Sequence, residues 1–208
     1  MRDIRELKDK ITDRNYPLMT AIFMVANILV FVLETIDGDS ENLDTAMKFG
    51  AYFYDDVKQG EIYRLLTSCF VHFGFEHISS NMLGLFAIGP YVEKYFGRLK
   101  FTLIYIISGL SGSLLTYFMD VQKGDYAVCA GASGCIFGLF GILLVFALSR
   151  DMRYEFPLPR VLVGLVLMFI PSLTKNSGIS LDAHLGGFVG GTLMGFIFYF
   201  WAERSARR

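Results

Sequence analysis

Gly131-Ala-Ser-Gly-Cys-Ile-Phe-Gly-Leu-Phe-Gly-Ile-Leu-Leu-Val-Phe-Ala-Leu148 is an uncharged apolar run whose one hydroxyl, Ser133, stands near its start. A helix needs roughly 20 such residues to cross a bilayer core, so the run reads as a membrane span. Further on, Ala183-His-Leu-Gly-Gly187 opens a second apolar run with His184 in the same leading position. Polar groups are costly inside a bilayer, and an ionisable one there points to function. A serine and a histidine together suggest nucleophile and base, and with them a hydrolase that works within the membrane.

Composition supports the membrane reading. Hydrophobic residues make up 53% of the 208, aromatics 15% and charged residues only 19%, and the mean hydropathy is +0.45. That balance lies well outside the soluble range. A net charge of −1 argues against nucleic acid as a partner. Cys69, Cys129 and Cys135 show no metal-ligand spacing and cannot all pair, so they read as buried apolar thiols. Residues 1–15 are of mixed charge without a small-residue cleavage site. They read as a cytosolic amphipathic segment ahead of an uncleaved first span.

Six apolar runs are candidate spans, at about 16–35, 78–95, 101–119, 132–149, 157–174 and 183–201. The predicted fold is an all-α membrane protein: a bundle of six transmembrane helices occupying 16–201, with a basic cytosolic tail at 202–208. The second, fourth and sixth spans are rich in Gly, Ser and Asn, the residues that helix interfaces use in lipid. A long first loop, 36–76, holds an amphipathic stretch at 46–54 and a short apolar one at 62–73. Short helices on or dipping into the interface are expected there.

Placing the N-terminus in the cytosol puts 14 of the 19 Lys and Arg inside and 5 outside, so both termini are predicted cytosolic. The second, fourth and sixth spans then all run from outside to inside. His77 with Asn81, Ser133 and His184 open those three spans, so the four polar groups converge at one depth toward the outer leaflet.

Ser133 has two readings. Its hydroxyl can cap the helix by accepting an early backbone N–H, or it can act as nucleophile beside N–H groups that would face a developing anion. Gly131 and Gly134 around it allow a tight turn and close approach of another chain. The order Gly-Ala-Ser-Gly-Cys is not the Gly-x-Ser-x-Gly elbow of α/β-hydrolases. His184 could be a packed core histidine or a base. Its helix continues with Gly187, Gly191 and Gly195, and the fourth span offers Gly134 and Gly138 on the same spacing, then Gly141. Such faces let two backbones pack closely and would bring Ser133 and His184 within hydrogen-bond reach. Asp182, two residues from His184, faces another side and reads as a helix N-cap, which leaves a dyad without an acid.

His77 and Asn81, spaced i, i+4, share one helix face. No carboxylate set accompanies the histidines, and Asn is a poor transition-metal ligand, so no metal is expected. Neutral N–H donors suit an oxyanion hole better. His72, in the loop before that span, is expected to hydrogen-bond locally. Arg64 and Glu93 are unusual charges, which spacing alone allows to be interfacial and unrelated.

The ordered set His77-Ile-Ser-Ser-Asn81, Gly131-Ala-Ser-Gly134 and Ala183-His-Leu-Gly-Gly187 with Gly191 resembles the rhomboid intramembrane serine proteases, over roughly 61–201. The resemblance is to the six-span prokaryotic form and implies a multi-pass protein of a bacterial plasma membrane, with its active site toward the outer face. It implies Ser133 as nucleophile and His184 as general base. His77, Asn81 and the Ser133 backbone N–H would form the oxyanion hole, and Phe137 would pack on the imidazole. Tyr63-Arg64 stands where the family has Trp-Arg, a departure that touches loop packing. Glu93 matches the accompanying acidic residue, which implies a structural role tying the loop to the core. The fifth span would be a mobile gate and 175–181 a cap over the site.

The expected activity is endoproteolysis of single-span or otherwise membrane-anchored proteins in or near their transmembrane segment, without metal or organic cofactor. Two other classes are open: a non-catalytic protein of the same fold that binds clients, and a small transporter or channel with a histidine-lined path.

Overall fold

The structure is a computed structural model and describes residues 13, 16–124, 126–149, 154–173 and 180–206. Most of the N-terminal segment 1–15, most of the expected cap 175–181 and the last two residues of the tail lie outside the described residues. Nine α-helices and one 3-10 turn account for the regular structure described. In order they are α1 (Leu18–Asp37), α2 (Leu43–Lys48), α3 (Tyr54–Lys58), α4 (Arg64–Thr67), the 3-10 turn (Ser68–Phe70), α5 (Gly74–Phe96), α6 (Arg98–Lys123), α7 (Ser133–Leu148), α8 (Leu158–Leu173) and α9 (Leu181–Ala206). Between the first loop and the segment before α7 runs a single antiparallel bridge, Tyr52 to Cys129.

Each of the six expected spans is met by a helix. Three of them, α1, α6 and Leu181–Phe200 of α9, are long and apolar enough by themselves to cross a membrane. Helices α7 and α8 are apolar but only 16 residues each, and α5 carries the polar residues of the site. Helix α5 starts at Gly74, a turn earlier than expected, so His77 lies inside its first turn. One glycine, Gly97 at φ +80°, separates α5 from α6, a sharp break in the left-handed region that favours glycine.

The expected short helices of the first loop are present as α2, α3 and α4. Asn42 caps α2, its side-chain oxygen accepting from the Asp44 and Thr45 N–H groups. Buried Arg64 is the knot of this loop. It donates through Nη1 to the Met47 and Ala51 carbonyls, at 2.8 and 2.9 Å, and through Nε to Glu61 at 2.6 Å. Glu93 does something else. Its carboxylate accepts the Met19 and Thr20 N–H groups and the Thr20 hydroxyl, all at 2.8 Å. The expectation that Glu93 ties the first loop to the core is therefore corrected. It ties α5 to the start of α1, because the first turn of a helix exposes N–H groups that a carboxylate satisfies well.

The core is built around α6, α7 and α9. Glycines on α9 leave no room for a side chain. A Cβ on Gly187 would strike the Gly134 carbonyl and one on Gly191 would strike the Gly138 backbone, the seam the sequence predicts. On its other flank α9 meets α6 as closely. A Cβ on Gly186 would lie 2.9 Å from Gly112 Cα, and one on Gly112 would lie 2.6 Å from the Ala183 carbonyl. The third span thus shares the small-residue packing that the sequence reading gave only to the second, fourth and sixth. Leu85, Phe101, Ile104, Tyr105, Leu139 and Phe146 fill the interior beside it. Exposed Val163, Val166, Leu167 and Ile170 cover the outside of α8, an apolar exterior suited to lipid.

Candidate active site

Ser133 is the first residue of α7, and that helix has no side-chain cap at its start. The serine hydroxyl is engaged elsewhere. Its Oγ lies 2.8 Å from Nε2 of His184, which sits buried in the first turn of α9. The glycine seam explains the distance. With Gly187 against Gly134, the two helices approach until the hydroxyl of Ser133, next to Gly134, reaches the imidazole one turn before Gly187. Phe137, one turn after the serine, lies against the imidazole at 3.9 Å between ring centres and 14° between planes. The ring is thereby fixed in plane as well as in place.

The other imidazole nitrogen, Nδ1, is 2.6 Å from the hydroxyl of Ser172 at the end of α8. Nothing in the sequence marked Ser172, which belongs to no motif. Asp182, expected as a helix cap, instead pairs with Lys123 at 2.6 Å. The α9 N-cap is Ser180, whose hydroxyl accepts the Ala183 N–H at 3.1 Å. A side chain two residues before His184 points around the helix, toward α6 and away from the imidazole.

Before Ser133 the chain is drawn into a tight turn. Gly131 has φ +123°, in the left-handed region, and a Cβ there would lie 2.7 Å from His77 Nε2. Conformation and space each require glycine. Two bonds pin the turn: the Gly131 N–H to the Ser68 carbonyl at 2.9 Å, and the Ala132 N–H to His72 Nε2 at 3.3 Å. His72 meets the local expectation through Nδ1, 3.2 Å from the Phe70 carbonyl, and reaches 60 residues further through its other nitrogen. Burial holds this imidazole neutral, its pKa lowered from 6.5 to about 3, and a neutral ring can accept the Ala132 N–H while donating to Phe70. Fully buried Glu34 accepts the backbone N–H of His72 at 3.3 Å, a tie between α1 and this loop that sequence reading did not foresee.

His77 and Asn81 share a face of α5, as their spacing requires. The Phe73 N–H donates to His77 Nδ1 at 3.3 Å, so Nε2 carries the proton and presents it at Gly131. Asn81 donates to the His77 carbonyl at 3.0 Å. The place where a Gly131 Cβ would stand is 3.8 Å from its amide nitrogen. On the serine side the first intrahelical bond of α7 runs from Ile136 to Ala132, leaving the N–H of Ser133 without an intrahelical acceptor. Ser133, His184, His77 and Asn81 all line one cavity of about 970 Å³. A hydroxyl bonded to an imidazole, with three N–H donors across the same space, can form and hold an oxyanion.

The donor set does not favour a metal. Among the described residues no three His, Cys, Asp or Glu side chains are grouped to hold one. Cys69, Cys129 and Cys135 are all free thiols, the first and last buried.

Residues 59–200 match the Rhomboid domain family. The chain belongs to the rhomboid family. It is 33% identical over 187 residues to the Bacillus subtilis (strain 168) protein "Rhomboid protease GluP", covering 90% of this chain and 36% of that protein. To "Putative rhomboid protease YdcA" of the same organism it is 33% identical over 186 residues, covering 88% of this chain and 89% of the relative. "RHOMBOID-like protein 5" of Arabidopsis thaliana is 36% identical over 158 residues, or 75% of this chain and 50% of that protein. The chain thus spans about a third to a half of two of these relatives and nearly the whole of the other. With its apolar helices, this rhomboid is an integral membrane protein.

Proposed function

We propose that the chain is an intramembrane serine endopeptidase working with a Ser133–His184 dyad. The observation that carries the proposal is the 2.8 Å contact between Ser133 Oγ and His184 Nε2 inside a cavity that His77 and Asn81 also line. In the reaction Ser133 Oγ forms a bond to the scissile carbonyl carbon while its proton passes to His184 Nε2. The carbonyl π electrons move onto oxygen, where the Ser133 N–H, His77 Nε2–H and Asn81 amide donate to the oxyanion. Collapse breaks the C–N bond, and the leaving amine takes the proton from His184. A water then gives a proton to the same nitrogen and bonds to the ester carbon, and collapse breaks the C–Oγ bond as His184 returns the proton to Ser133.

The protease unit is 16–201, flanked by cytosolic 1–15 and 202–208, and its six long helices are six membrane spans. Both termini face the cytosol of a bacterial plasma membrane, and the cavity opens outward. Substrates are single-span or otherwise membrane-anchored proteins, unwound locally at the cut because a helix hides its peptide bonds. The test is cleavage of a single-span substrate in liposomes by wild type, Ser133→Ala and His184→Ala. Both variants are expected to lose cleavage, and equal rates for all three would overturn the mechanism.

A further inference from the structure

His184 lies between two hydroxyls, and only one arrangement of its protons is productive. For Nε2 to take the Ser133 proton it must carry a lone pair, so the ring proton must sit on Nδ1. The mirror arrangement, with Nε2–H pointing at Ser133 and Nδ1 accepting from Ser172, fits the same heavy atoms and is inert. Among the described residues Ser172 Oγ, at 2.6 Å, is the one hydrogen-bond partner of Nδ1. Both groups are buried. Without that oxygen a Nδ1–H would be left unsatisfied away from water, and the imidazole would move its proton to Nε2, where Ser133 still offers an acceptor.

The element that carries Ser172 adds a second consequence. Helix α8 joins the bundle through side chains: Val161 and Leu165 meet α7, and Phe169 stands edge-on to Phe137 at 4.7 Å between ring centres. Pro171, just before Ser172, has no N–H to return to Leu167, so the last turn of α8 is held by one bond fewer. Met168 and Pro171 on the same helix line the cavity. The side-chain contacts that seat α8 on the bundle therefore also seat the acceptor against Nδ1.

We propose that Ser172 is a positioning residue that supplies the acceptor the Nδ1–H tautomer of His184 requires, and that the seating of α8 delivers this acceptor. The proposal rests on the reading of Ser133 and His184 as nucleophile and base. It is tested on the full chain in phospholipid liposomes with a single-span substrate, comparing wild type, Ser172→Ala and Ser172→Thr. In parallel, ring 15N shifts of the histidine-labelled chain report the tautomer of His184. Ser172→Ala is expected to lower kcat by roughly tenfold to a hundredfold, the fold-change equivalent of one buried unsatisfied donor, with KM unchanged. Its His184 is expected to carry the proton on Nε2, and Ser172→Thr to restore both readouts. Wild-type kcat in Ser172→Ala, or an Nε2–H tautomer in the unmodified chain, would overturn the proposal. The tautomer reading requires no turnover. It decides the role of Ser172 even if cleavage proves independent of Ser133, the result that would defeat the proteolytic reading instead.

Discussion

Two sides of His184 are built on opposite rules. Toward α6 and α7 helix α9, which carries His184, meets its neighbours backbone to backbone, with Gly112, Gly134 and Gly138 facing Ala183, Gly187 and Gly191. Toward α8 the contacts are between the tips of large side chains, Phe169 with Phe137 and Phe188, and Gly164 in mid-helix has nothing within 4 Å of where a Cβ would stand. In lipid there is little hydrophobic drive between helices, so close small-residue packing is what fixes their distance. The difference teaches where precision resides. The Ser133–His184 contact stands on the welded side, and the more loosely packed side carries the neighbour of the other imidazole nitrogen.

The largest expected effect breaks the welded side. In Gly187→Ala the new methyl must displace the Gly134 carbonyl, which is backbone and cannot rotate away. Overpacking of this kind costs about 3 kcal/mol. Separating the two helices by even an ångström also costs the dyad its geometry, worth roughly a hundredfold in rate. Thermal unfolding in detergent and cleavage in liposomes measure the two losses separately. A variant with native stability and rate would mean that the seam does not set the spacing.

A smaller effect sharpens the picture of what holds the turn before Ser133. His72 is neutral in the folded chain with a pKa near 3, against its ordinary value of 6.5. Between those values the unfolded chain binds more protons than the folded one. The contribution of His72 to stability is therefore complete above about pH 6.5 and falls as pH drops through the window, by up to about 1.4 kcal/mol per pH unit. Protonation would also replace the acceptor of the Ala132 N–H with a donor. Unfolding measured between pH 7 and 5 should show this slope, and His72→Gln, which retains a neutral acceptor, should flatten it. An identical slope in both would place the acid sensitivity elsewhere.

The contrast between periodic and solitary features decided what could be read from the sequence. All six long helices were legible as apolar runs, and the α7–α9 seam was legible because glycines recur every fourth residue at 187, 191 and 195. Ser133, His184, His77, Asn81 and Phe137 stood in short motifs at helix starts, and the structure brings all five to one cavity. Arg64 and Glu93 were visible as charges in apolar surroundings, but their partners were not. Glu93 reaches back more than 70 residues to the first turn of α1, and no local pattern announces a carboxylate that caps a distant helix. Ser172, Glu34 and the second bond of His72 were silent for the same reason. Each is one side chain whose meaning lies in a contact with a different element, outside any local pattern.

The smallest expected effect tests the more loosely packed side. Gly164 lies within α8, and a methyl there meets open space. Alanine lowers the backbone entropy lost on forming a helix and in water is favoured over glycine by about 1 kcal/mol. Because lipid already favours the helix, Gly164→Ala should raise stability by less than that and leave the cleavage rate within about twofold, as expected of a surface position with no partner. The same chemical change, glycine to alanine, would then be ruinous on one flank of the bundle and nearly silent on the other. A large loss at Gly164 would show that α8 needs a close approach at that position during turnover, when a substrate helix lies against it.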